Sequence, residues 1–338
     1  MNIHSLSTRL AFLLAAMLVV AVPASAADSN PFIGNWALVL PGNGPGWLGV
    51  VEKDGKLSAS ILWYAGSVVP TESAKIDGDT LIVTRLHRSD KKGADGKTIK
   101  VVTTETITAR VQGDVLTATT VKSNDDKPEF DKNTFTGKRT PPLPPAPDLS
   151  NVKFGEPIKL FNGKDLEGWR LVEQGAANGW SVVDGVLTNN PVQEPGKHKN
   201  YGNLRTDREF EDFNITTDVN VPKGGNSGIY LRGIDEIQIA DTFGRPADSH
   251  NMGGLYSRIK PTEAVEKPAG EWQTIDITLV DRHVTVILNG KKIIDNQPVL
   301  GCTGGALWSD QLRPGPIYLQ GDHTGVSYRN MILKPVVK

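Results

Sequence analysis

The chain has 338 residues, with 37 lysines and arginines, 38 aspartates and glutamates, and a formal net charge of −1. A surface so close to neutral gives no support to a nucleic-acid partner or to an anionic membrane surface as partner. The only cysteine is Cys302, so an intramolecular disulfide is excluded and stability has to come from packed secondary structure. The length favours two domains over one.

The first segment has the pattern of a secretory signal peptide. Arg9 precedes an apolar run over residues 10–22, and Ala24-Ser25-Ala26 follows as a small-residue cleavage site. The run is shorter than the roughly 20 apolar residues of a membrane-spanning helix. No cysteine stands at the cleavage point to carry a lipid. The pattern predicts a signal peptide over residues 1–26, cleaved after Ala26 or Ala27, and a mature protein that is periplasmic or secreted, without a membrane anchor.

Residues 28–139 are predicted to form a small all-β domain. Segments rich in valine, isoleucine and threonine alternate with turn sequences, which is typical of a meander that closes into a small barrel or sandwich. Gly34-Asn35-Trp36 is similar to the Gly-x-Trp that starts lipocalin barrels. We interpret Trp36 as a plug of one barrel end, with ligand contact as the alternative. The predicted strands are residues 57–62, 80–86, 98–111 and 115–121, and the turns are at Asp54-Gly55, Asp77-Gly78, Asp95-Gly96 and residues 112–114.

A proline-rich boundary follows. Proline fixes φ and lacks a backbone donor, so the stretch Thr140-Pro-Pro-Leu-Pro-Pro-Ala-Pro147 is excluded from a sheet interior. We predict a linker over residues 140–154, with a surface strap packed between domains as the alternative. The boundary also predicts that residues 150–338 fold separately.

Residues 155–338 are again rich in strand patterns, and nothing after the first segment has a helical period of useful length. Asn289-Gly290 is the strongest short hairpin signal in the chain. The pattern fits a jelly-roll β-sandwich and makes the whole chain all-β. The predicted strands are residues 214–221, 272–280, 283–288, 291–294 and 326–336.

The stretch from Ser227 to Asp241 carries the clearest alternation. Because side chains on a strand alternate between faces, Ile229, Leu231, Ile237 and Ile239 are expected on the core side. A bend is predicted at Gly233. The opposite face lines either a cleft or solvent, and in the second case bears an Arg232–Glu236 ion pair. The side chains predicted on that opposite face are Tyr230, Arg232, Glu236 and Gln238.

Two glycine-flanked loops hold further polar candidates. His323, in Gly321-Asp-His-Thr-Gly325, can titrate near neutrality and move a proton. It can equally bind a metal or a carbonyl oxygen. Asn226, in the turn over residues 224–228, offers both a donor and an acceptor to a ligand, or takes the left-handed conformation of a tight turn.

Three separated motifs stand out over about residues 155–337. They are Leu160-Phe-Asn-Gly-Lys-Asp-Leu-Glu-Gly-Trp169, the stretch over residues 225–241, and the stretch over residues 315–330. Together, in this order, they resemble the 3-keto-disaccharide hydrolase family of bacteria. The resemblance implies a concanavalin-like jelly roll whose concave face is a sugar cleft. It also implies cleavage of glycosidic bonds in sugars oxidised at C3.

The implied chemistry assigns roles. A C3 ketone acidifies the hydrogen at C2; a base removes it, the leaving group departs from C1, and water adds later. Glu236 and His323 are predicted as base or acid, and Arg232 or a bound metal as enolate stabiliser. Tyr256 and Trp308 can stack on a sugar ring, whereas Trp169, Trp180 and Trp272 are interpreted as core residues. The predicted substrate-binding residues are Asn226, Tyr230, Gln238, Asp241, Tyr256, Trp308 and Gln320.

Two alternatives stay open, a non-catalytic carbohydrate-binding module and a hydrolase of unmodified glycans. Glu236 and Gln238 are spaced like the Glu-x-Asp strand of jelly-roll glucanases, but the amide argues against a two-carboxylate retaining mechanism on this strand. No metal motif is strong. A site from Glu236, Asp241 and His323 is conceivable, so a divalent metal ion is a possible cofactor and no cofactor is certain.

Overall fold

The computed structural model describes residues 30–93, 96–194 and 199–337. The predicted signal peptide, residues 1–26, and Asp95 of one predicted turn lie outside the described residues. From Phe32 onward the chain forms one compact unit. No helix within the described ranges is long and apolar enough to cross a membrane.

Strands make up nearly all of the regular structure, and the predicted all-β class is confirmed. One 3-10 helix spans Pro41–Asn43. In chain order the strands are β1 Gly34–Leu40, β2 Gly44–Lys53, β3 Lys56–Trp63, β4 Val69–Pro70, β5 Ser73–Asp77, β6 Thr80–Lys92, β7 Thr98–Gln112, β8 Val115–Asn124, β9 Lys127–Arg139, β10 Ile158–Lys159, β11 Trp169–Leu171, β12 Trp180–Val183, β13 Val186–Asn189, β14 Leu204–Thr206, β15 Phe213–Asn220, β16 Asn226–Leu231, β17 Asp235–Ala240, β18 Trp272–Val280, β19 His283–Leu288, β20 Lys291–Pro298, β21 Tyr318–Leu319 and β22 Val326–Pro335.

The first nine strands form an antiparallel meander that closes into a barrel. Their order is β4-β3-β2-β1-β9-β8-β7-β6-β5. The segment that runs from β4 into β5 closes the sheet, because Thr71 N donates to Ala59 O at 2.9 Å and Glu72 N donates to Thr84 O at 2.8 Å. Trp36 is fully buried in the apolar interior, and the Arg139 guanidinium lies 4.2 Å from its ring centroid.

The remaining strands build a two-sheet sandwich. An eight-stranded sheet has the order β12-β13-β22-β15-β18-β19-β20, with β10 paired to β22, and a five-stranded sheet has the order β11-β14-β21-β16-β17. One continuous apolar core lies between them. The predicted hairpin turn joins β19 to β20, where Asn289 and Gly290 have φ values of 51° and 81°, the left-handed values that a type I′ turn needs.

The five-stranded sheet has one apolar and one polar face. Ile229, Leu231, Ile237 and Ile239 all point into the core of the sandwich, as the alternation predicts. Tyr230 and Glu236 are direct neighbours across β16 and β17, on the opposite face of the sheet. This outer face is the floor of the cleft described below.

The proline-rich segment packs on the sandwich as a strap. Arg282 donates to the carbonyl oxygens of Pro141 and Pro142, the first at 3.0 Å. Asn296 Nδ2 donates to Pro147 O at 2.8 Å. Proline carbonyls keep their acceptor capacity although proline has no N–H, so these three prolines bind the sandwich through their carbonyl oxygens.

The barrel and the sandwich share a small buried cluster. Trp47 and Leu62 of the barrel pack with Ile234, Cys302 and Ala306 of the sandwich. Trp47 Nε1 also donates to Leu300 O at 2.8 Å. Burial raises the pKa of the Cys302 thiol to about 12, so this cysteine is a packing residue rather than a nucleophile.

The division into separable domains stays a prediction. We expect residues 150–338 expressed alone to fold, but to melt at a lower temperature than the full chain, because removal of Trp47 and Leu62 exposes the shared cluster. Circular dichroism melts of the fragment and the full chain compare the two. An unfolded fragment that is rescued only by residues 28–149 would show that the barrel and the sandwich fold as one obligate unit.

Candidate active site

A cleft with a volume of about 460 Å³ lies on the outer face of the five-stranded sheet. Strands β16, β17 and β21 form its floor. Residues 304–307, the loop after β21 and residues 65–66 of the barrel form its walls. The polar and aromatic side chains that line it are Glu173, Asn203, Asn226, Tyr230, Glu236, Tyr256, Tyr318, Gln320, Asp322 and His323.

Two stacked tyrosines form part of the floor. Tyr230 of β16 and Tyr318 of β21 are direct cross-strand partners, so their side chains leave the sheet side by side. Their ring centroids are 4.2 Å apart and the planes differ by 12°. Burial raises the pKa of both phenols well above their ordinary value, so both remain neutral hydrogen-bond donors.

Glu236 lies beside this pair and shares the hydroxyl of Tyr230 with a backbone carbonyl oxygen. Tyr230 Oη is 2.9 Å from Glu236 Oε2 and 2.8 Å from Gly304 O. A phenol has one proton, and a carbonyl oxygen only accepts. Tyr230 therefore shares its proton between Glu236 Oε2 and Gly304 O when the carboxyl is ionised, whereas a protonated Glu236 can donate to Tyr230 Oη while Tyr230 donates to Gly304.

The surroundings of Glu236 favour the protonated state. The side chain is 4% exposed, and burial raises its pKa to about 8, although the hydrogen bond with Tyr230 and the nearby His323 both act in the opposite direction. A carboxyl taken out of water resists ionisation. Room for it comes from Gly228 on the neighbouring strand, because a Cβ there would clash with Glu236 Oε1. At neutral pH, Glu236 is therefore a proton donor.

His323 lies across the cleft as a proton acceptor. Its Nδ1 is 2.7 Å from Asp322 Oδ1. This hydrogen bond raises the pKa of the imidazole. A carboxylate on Nδ1 fixes the tautomer with the proton on that atom and makes Nε2 the basic nitrogen. The ring is half-exposed and lines the same cleft as Glu236. One cleft therefore holds a carboxyl that acts as the acid and an imidazole that acts as the base.

Glu173 and Asn203 also line the cleft and are hydrogen-bonded to each other. The Glu173 carboxylate accepts from Asn203 N and from Asn203 Nδ2, both at 2.9 Å. Asn203 Oδ1 accepts from Gly321 N at 2.8 Å, which ties the end of β14 to the loop that carries His323. Gln320 Oε1 is buried without a hydrogen-bond partner among the described residues. A buried acceptor of this kind is costly unless a bound molecule supplies a hydrogen-bond donor.

A comparison with protein families identifies the sandwich. Residues 156–334 match the model of the 3-keto-alpha-glucoside-1,2-lyase-like domain, which covers more than half of the chain. The chain belongs to this family. The resemblance predicted from the three motifs is thereby confirmed, and the matched residues coincide with the sandwich rather than with the barrel.

Individual relatives are similar to this chain over part of its length. A 3-keto-disaccharide hydrolase of Bacteroides thetaiotaomicron is 23% identical over 166 residues, which are 41% of this chain and 57% of that protein. A candidate glycosyl hydrolase of Parabacteroides distasonis, known from a crystal structure, is 30% identical with a TM-score of 0.43, over 58% of this chain and 93% of that chain. A non-specific endo-β-1,3(4)-glucanase of family GH16 is 10% identical with a TM-score of 0.32, over 58% of this chain and 92% of that chain.

Within the 3-keto-alpha-glucoside-1,2-lyase-like domain, part of the predicted site converges on the cleft. The predicted residues that line it are Asn226, Tyr230, Glu236, Tyr256, Gln320 and His323. Sequence reasoning missed Glu173, Asn203, Tyr318 and Asp322. Tyr318 and Asp322 each had a local signal, since the first is two residues before Gln320 and the second is adjacent to His323. Glu173 and Asn203 had none.

Arg232 was wrongly predicted to share the face of Tyr230 and Glu236. It takes a left-handed conformation, with φ of 53°, at the turn between β16 and β17, and this interrupts the alternation. Its guanidinium is buried 3.7 Å from Asp235, so the considered ion pair with Glu236 does not form. Burial raises the pKa of Asp235 to about 6. The cleft therefore has no guanidinium from this turn.

Gln238 and Asp241 also lie outside the cleft lining. Gln238 is 5% exposed, because the loop at residues 253–254 pairs with its backbone through hydrogen bonds of 2.8 and 2.9 Å. Its Oε1 accepts from Ile239 N. Asp241 Oδ2 accepts from Gly224 N at 2.8 Å and so closes the glycine turn. Both side chains are used by the fold itself.

The predicted tryptophan roles need two corrections. Trp308 lines an adjoining cavity of about 510 Å³, which shares Glu173 and Leu307 with the cleft, and the Arg313 guanidinium covers its ring at 3.9 Å. Trp272 is only partly buried and stacks under Arg329, also at 3.9 Å, rather than lying in the core. Trp169 and Trp180 are buried in the core as predicted.

The conceivable metal set of Glu236, Asp241 and His323 does not assemble, since Asp241 is bound to the Gly224 turn. Among the residues that the structure describes, no three or more histidine, cysteine, aspartate or glutamate side chains are grouped as metal ligands would be.

Proposed function

We propose that the protein cleaves glycosidic bonds of 3-keto-glycosides in the cleft between Glu236 and His323. The observation that carries the proposal is the pairing of a buried carboxyl, whose pKa is raised to about 8, with an imidazole oriented by Asp322. Membership of the 3-keto-alpha-glucoside-1,2-lyase-like family supports the substrate class. So does the name of the Bacteroides relative, of whose length this chain spans 57%.

The first half of the reaction is an elimination. A ketone at C3 makes the hydrogen on C2 acidic, and Nε2 of neutral His323 removes it as a proton. The electron pair left on C2 forms the enolate with C3 and its oxygen. Asp322 holds the resulting imidazolium through Nδ1. The enolate then re-forms the ketone while the C1–O bond breaks, and Glu236 gives its proton to the departing oxygen.

The second half adds water across the C1–C2 double bond of the enone. The Glu236 carboxylate takes a proton from water as the oxygen adds to C1, and the His323 imidazolium returns its proton to C2. Both groups regain their starting states, and the net reaction is hydrolysis. Because Arg232 lies outside the cleft, we assign the donor for the enolate oxygen to the amide of Asn226. Gln320 and Tyr256 are proposed as sugar ligands, with the Tyr230–Tyr318 pair as the floor.

The direct test is turnover of a 3-keto-disaccharide by the purified full chain, measured as the release of the free sugars. The matched unoxidised disaccharide is the control substrate. Cleavage of both sugars at similar rates would favour a hydrolase of unmodified glycans. Binding without release would favour a carbohydrate-binding module. A chelator arm tests the possible divalent metal in the same assay, since loss of turnover restored by one added cation would reveal a metal requirement.

We expect kcat/KM to follow a narrow bell against pH. His323 is a base only without its added proton, and Asp322 raises its pKa above the ordinary 6.5, so activity rises through a pH above that value. Glu236 is an acid only while protonated, so activity falls as the pH passes about 8. Because Glu236 and His323 interact in one cleft, the two apparent pKa values of the bell belong to the pair rather than to either residue alone. Rates between pH 5 and 10 measure them, and a plateau above pH 9 would contradict Glu236 as the acid.

A further inference from the structure

We infer that the barrel supplies one wall of the substrate cleft and restricts it to short glycosides, through the loop between β3 and β4. This loop, residues 64–68, is called the barrel loop here. The inference rests on the proposed function for the identity of the substrate. It goes beyond the family, since the matched domain spans residues 156–334 and the barrel lies before it.

The barrel loop touches the cleft directly. Ala65 and Gly66 line it. The backbone of Gly66 packs so closely on Gly304 that a Cβ at Gly304 would clash with it. Gly304 is also the residue whose carbonyl oxygen accepts from Tyr230 Oη. The barrel loop therefore packs on the segment whose carbonyl oxygen shares the Tyr230 hydroxyl with Glu236.

The barrel loop also holds a second wall through a chain of contacts. Ser67 Oγ is 2.8 Å from His250 Nε2, and His250 Nδ1 is 2.6 Å from Asp248 Oδ1. The His250 ring packs edge-on against Tyr256 at 4.9 Å. Tyr256 lines the cleft, whereas Ser67 and His250 do not. The Ser67–His250–Asp248 set therefore positions Tyr256 and does not itself face a substrate.

A second hydrogen bond fixes the same junction. Val68 N donates to Ser257 Oγ at 3.0 Å, next to Tyr256 in the chain. Ala65, Gly66 and the Tyr256 side chain line the cleft together, and in this inference they close one end of it. An open groove accommodates a polysaccharide chain, whereas a cleft closed at one end accommodates a chain terminus or a short glycoside. The geometry favours mono- and disaccharide-sized substrates.

The test uses two variants of the full chain, Ala65→Trp and Ser67→Ala, with 3-keto-glycosides of one, two and three sugar rings. Ala65 is exposed at the cleft, so a larger side chain narrows the cleft without entering a core. We expect it to lower kcat/KM about 10-fold, the scale of a changed pocket contact, and most for the longest substrate. Ser67→Ala should raise KM about fivefold with kcat kept, the scale of one lost hydrogen bond, and Ser67→Thr should restore KM.

The matched control is Thr71→Ala. Thr71 makes a hydroxyl bond to Ala59 O within the barrel, and its loss should leave all kinetic constants unchanged. Unchanged constants in both Ala65→Trp and Ser67→Ala, with intact melting curves and an active wild type, overturn the inference and leave the proposed function standing. If the wild type turns over no 3-keto-glycoside, the proposed function fails. Calorimetric titration of the variants with the 3-keto-disaccharide then tests separately whether the barrel loop forms a wall of the cleft. Unchanged binding rejects this role and weakened binding supports it.

Discussion

Replacement of Glu236 by glutamine is expected to lower turnover of a 3-keto-glycoside by about 100-fold or more, the scale of a lost general acid. Glutamine has nearly the same shape and can still donate to Tyr230 Oη, which is 2.9 Å from Glu236 Oε2. It cannot give a proton to the leaving oxygen. The variant therefore separates proton transfer from hydrogen bonding. Steady-state kinetics on the 3-keto-disaccharide measure the effect.

Two companion variants sharpen this test. His323→Ala removes the proposed base and should cost a similar factor, while its half-exposed position predicts little change in melting temperature. Glu266→Gln is the control, because Glu266 is also a buried carboxyl, bound to Thr242 Oγ1 at 2.6 Å, but lies outside the cleft. Full turnover in Glu236→Gln or in His323→Ala, with the fold intact, would remove that residue from the mechanism.

The second large expectation is that Glu236→Gln stabilises the protein as it inactivates it. The folded-state pKa of Glu236 is raised from the ordinary 4.5 to about 8. A raised folded-state pKa gives a contribution to stability that is complete below pH 4.5 and is lost as the pH rises through 8. At about 1.36 kcal/mol for each pH unit between the two pKa values, the free energy of unfolding falls by about 3 kcal/mol at pH 7 and by about 5 kcal/mol at pH 9. Glutamine has no charge to bury and avoids this loss.

Denaturant unfolding of both proteins at pH 4, 7 and 9 measures this difference. The free energies of unfolding should be close at pH 4, and the gap should widen with pH in favour of Glu236→Gln. Trp180→Ala is the opposite control. Trp180 is buried and stacks on Tyr328, so its loss should cost about 3 to 5 kcal/mol at every pH. A variant no more stable than wild type at pH 9 would contradict a buried, protonated Glu236.

Such a gain would show that the cleft holds its acid at the expense of stability. Active sites often keep groups in surroundings that destabilise the fold, because the shifted pKa is what the chemistry uses. Three features of the cleft act together to hold this acid. The carboxyl of Glu236 is buried, the glycine at position 228 makes room for it, and the Gly304 carbonyl oxygen accepts from Tyr230 Oη.

Local patterns in the sequence determined the class of fold and one face of the site. Alternation placed Ile229 and Ile237 in the core and Tyr230 and Glu236 opposite them, because successive side chains on a strand point to opposite faces. Asn289-Gly290 predicted the β19–β20 turn, since few residue pairs accept its left-handed backbone. The three motifs indicated the family, which the match over residues 156–334 confirmed.

Only the tertiary structure decided which polar groups meet. Tyr318 stacks on Tyr230 because β21 pairs with β16, and Glu173 reaches the cleft through its hydrogen bonds to Asn203. Both pairs join residues that are far apart in the chain. Arg232 left the predicted face because a left-handed residue at a turn interrupts the strand period. The barrel loop reaches Gly304 from more than 200 residues away. Local periodicity determines the face on which a side chain lies, whereas long-range strand pairing and packing determine its neighbours.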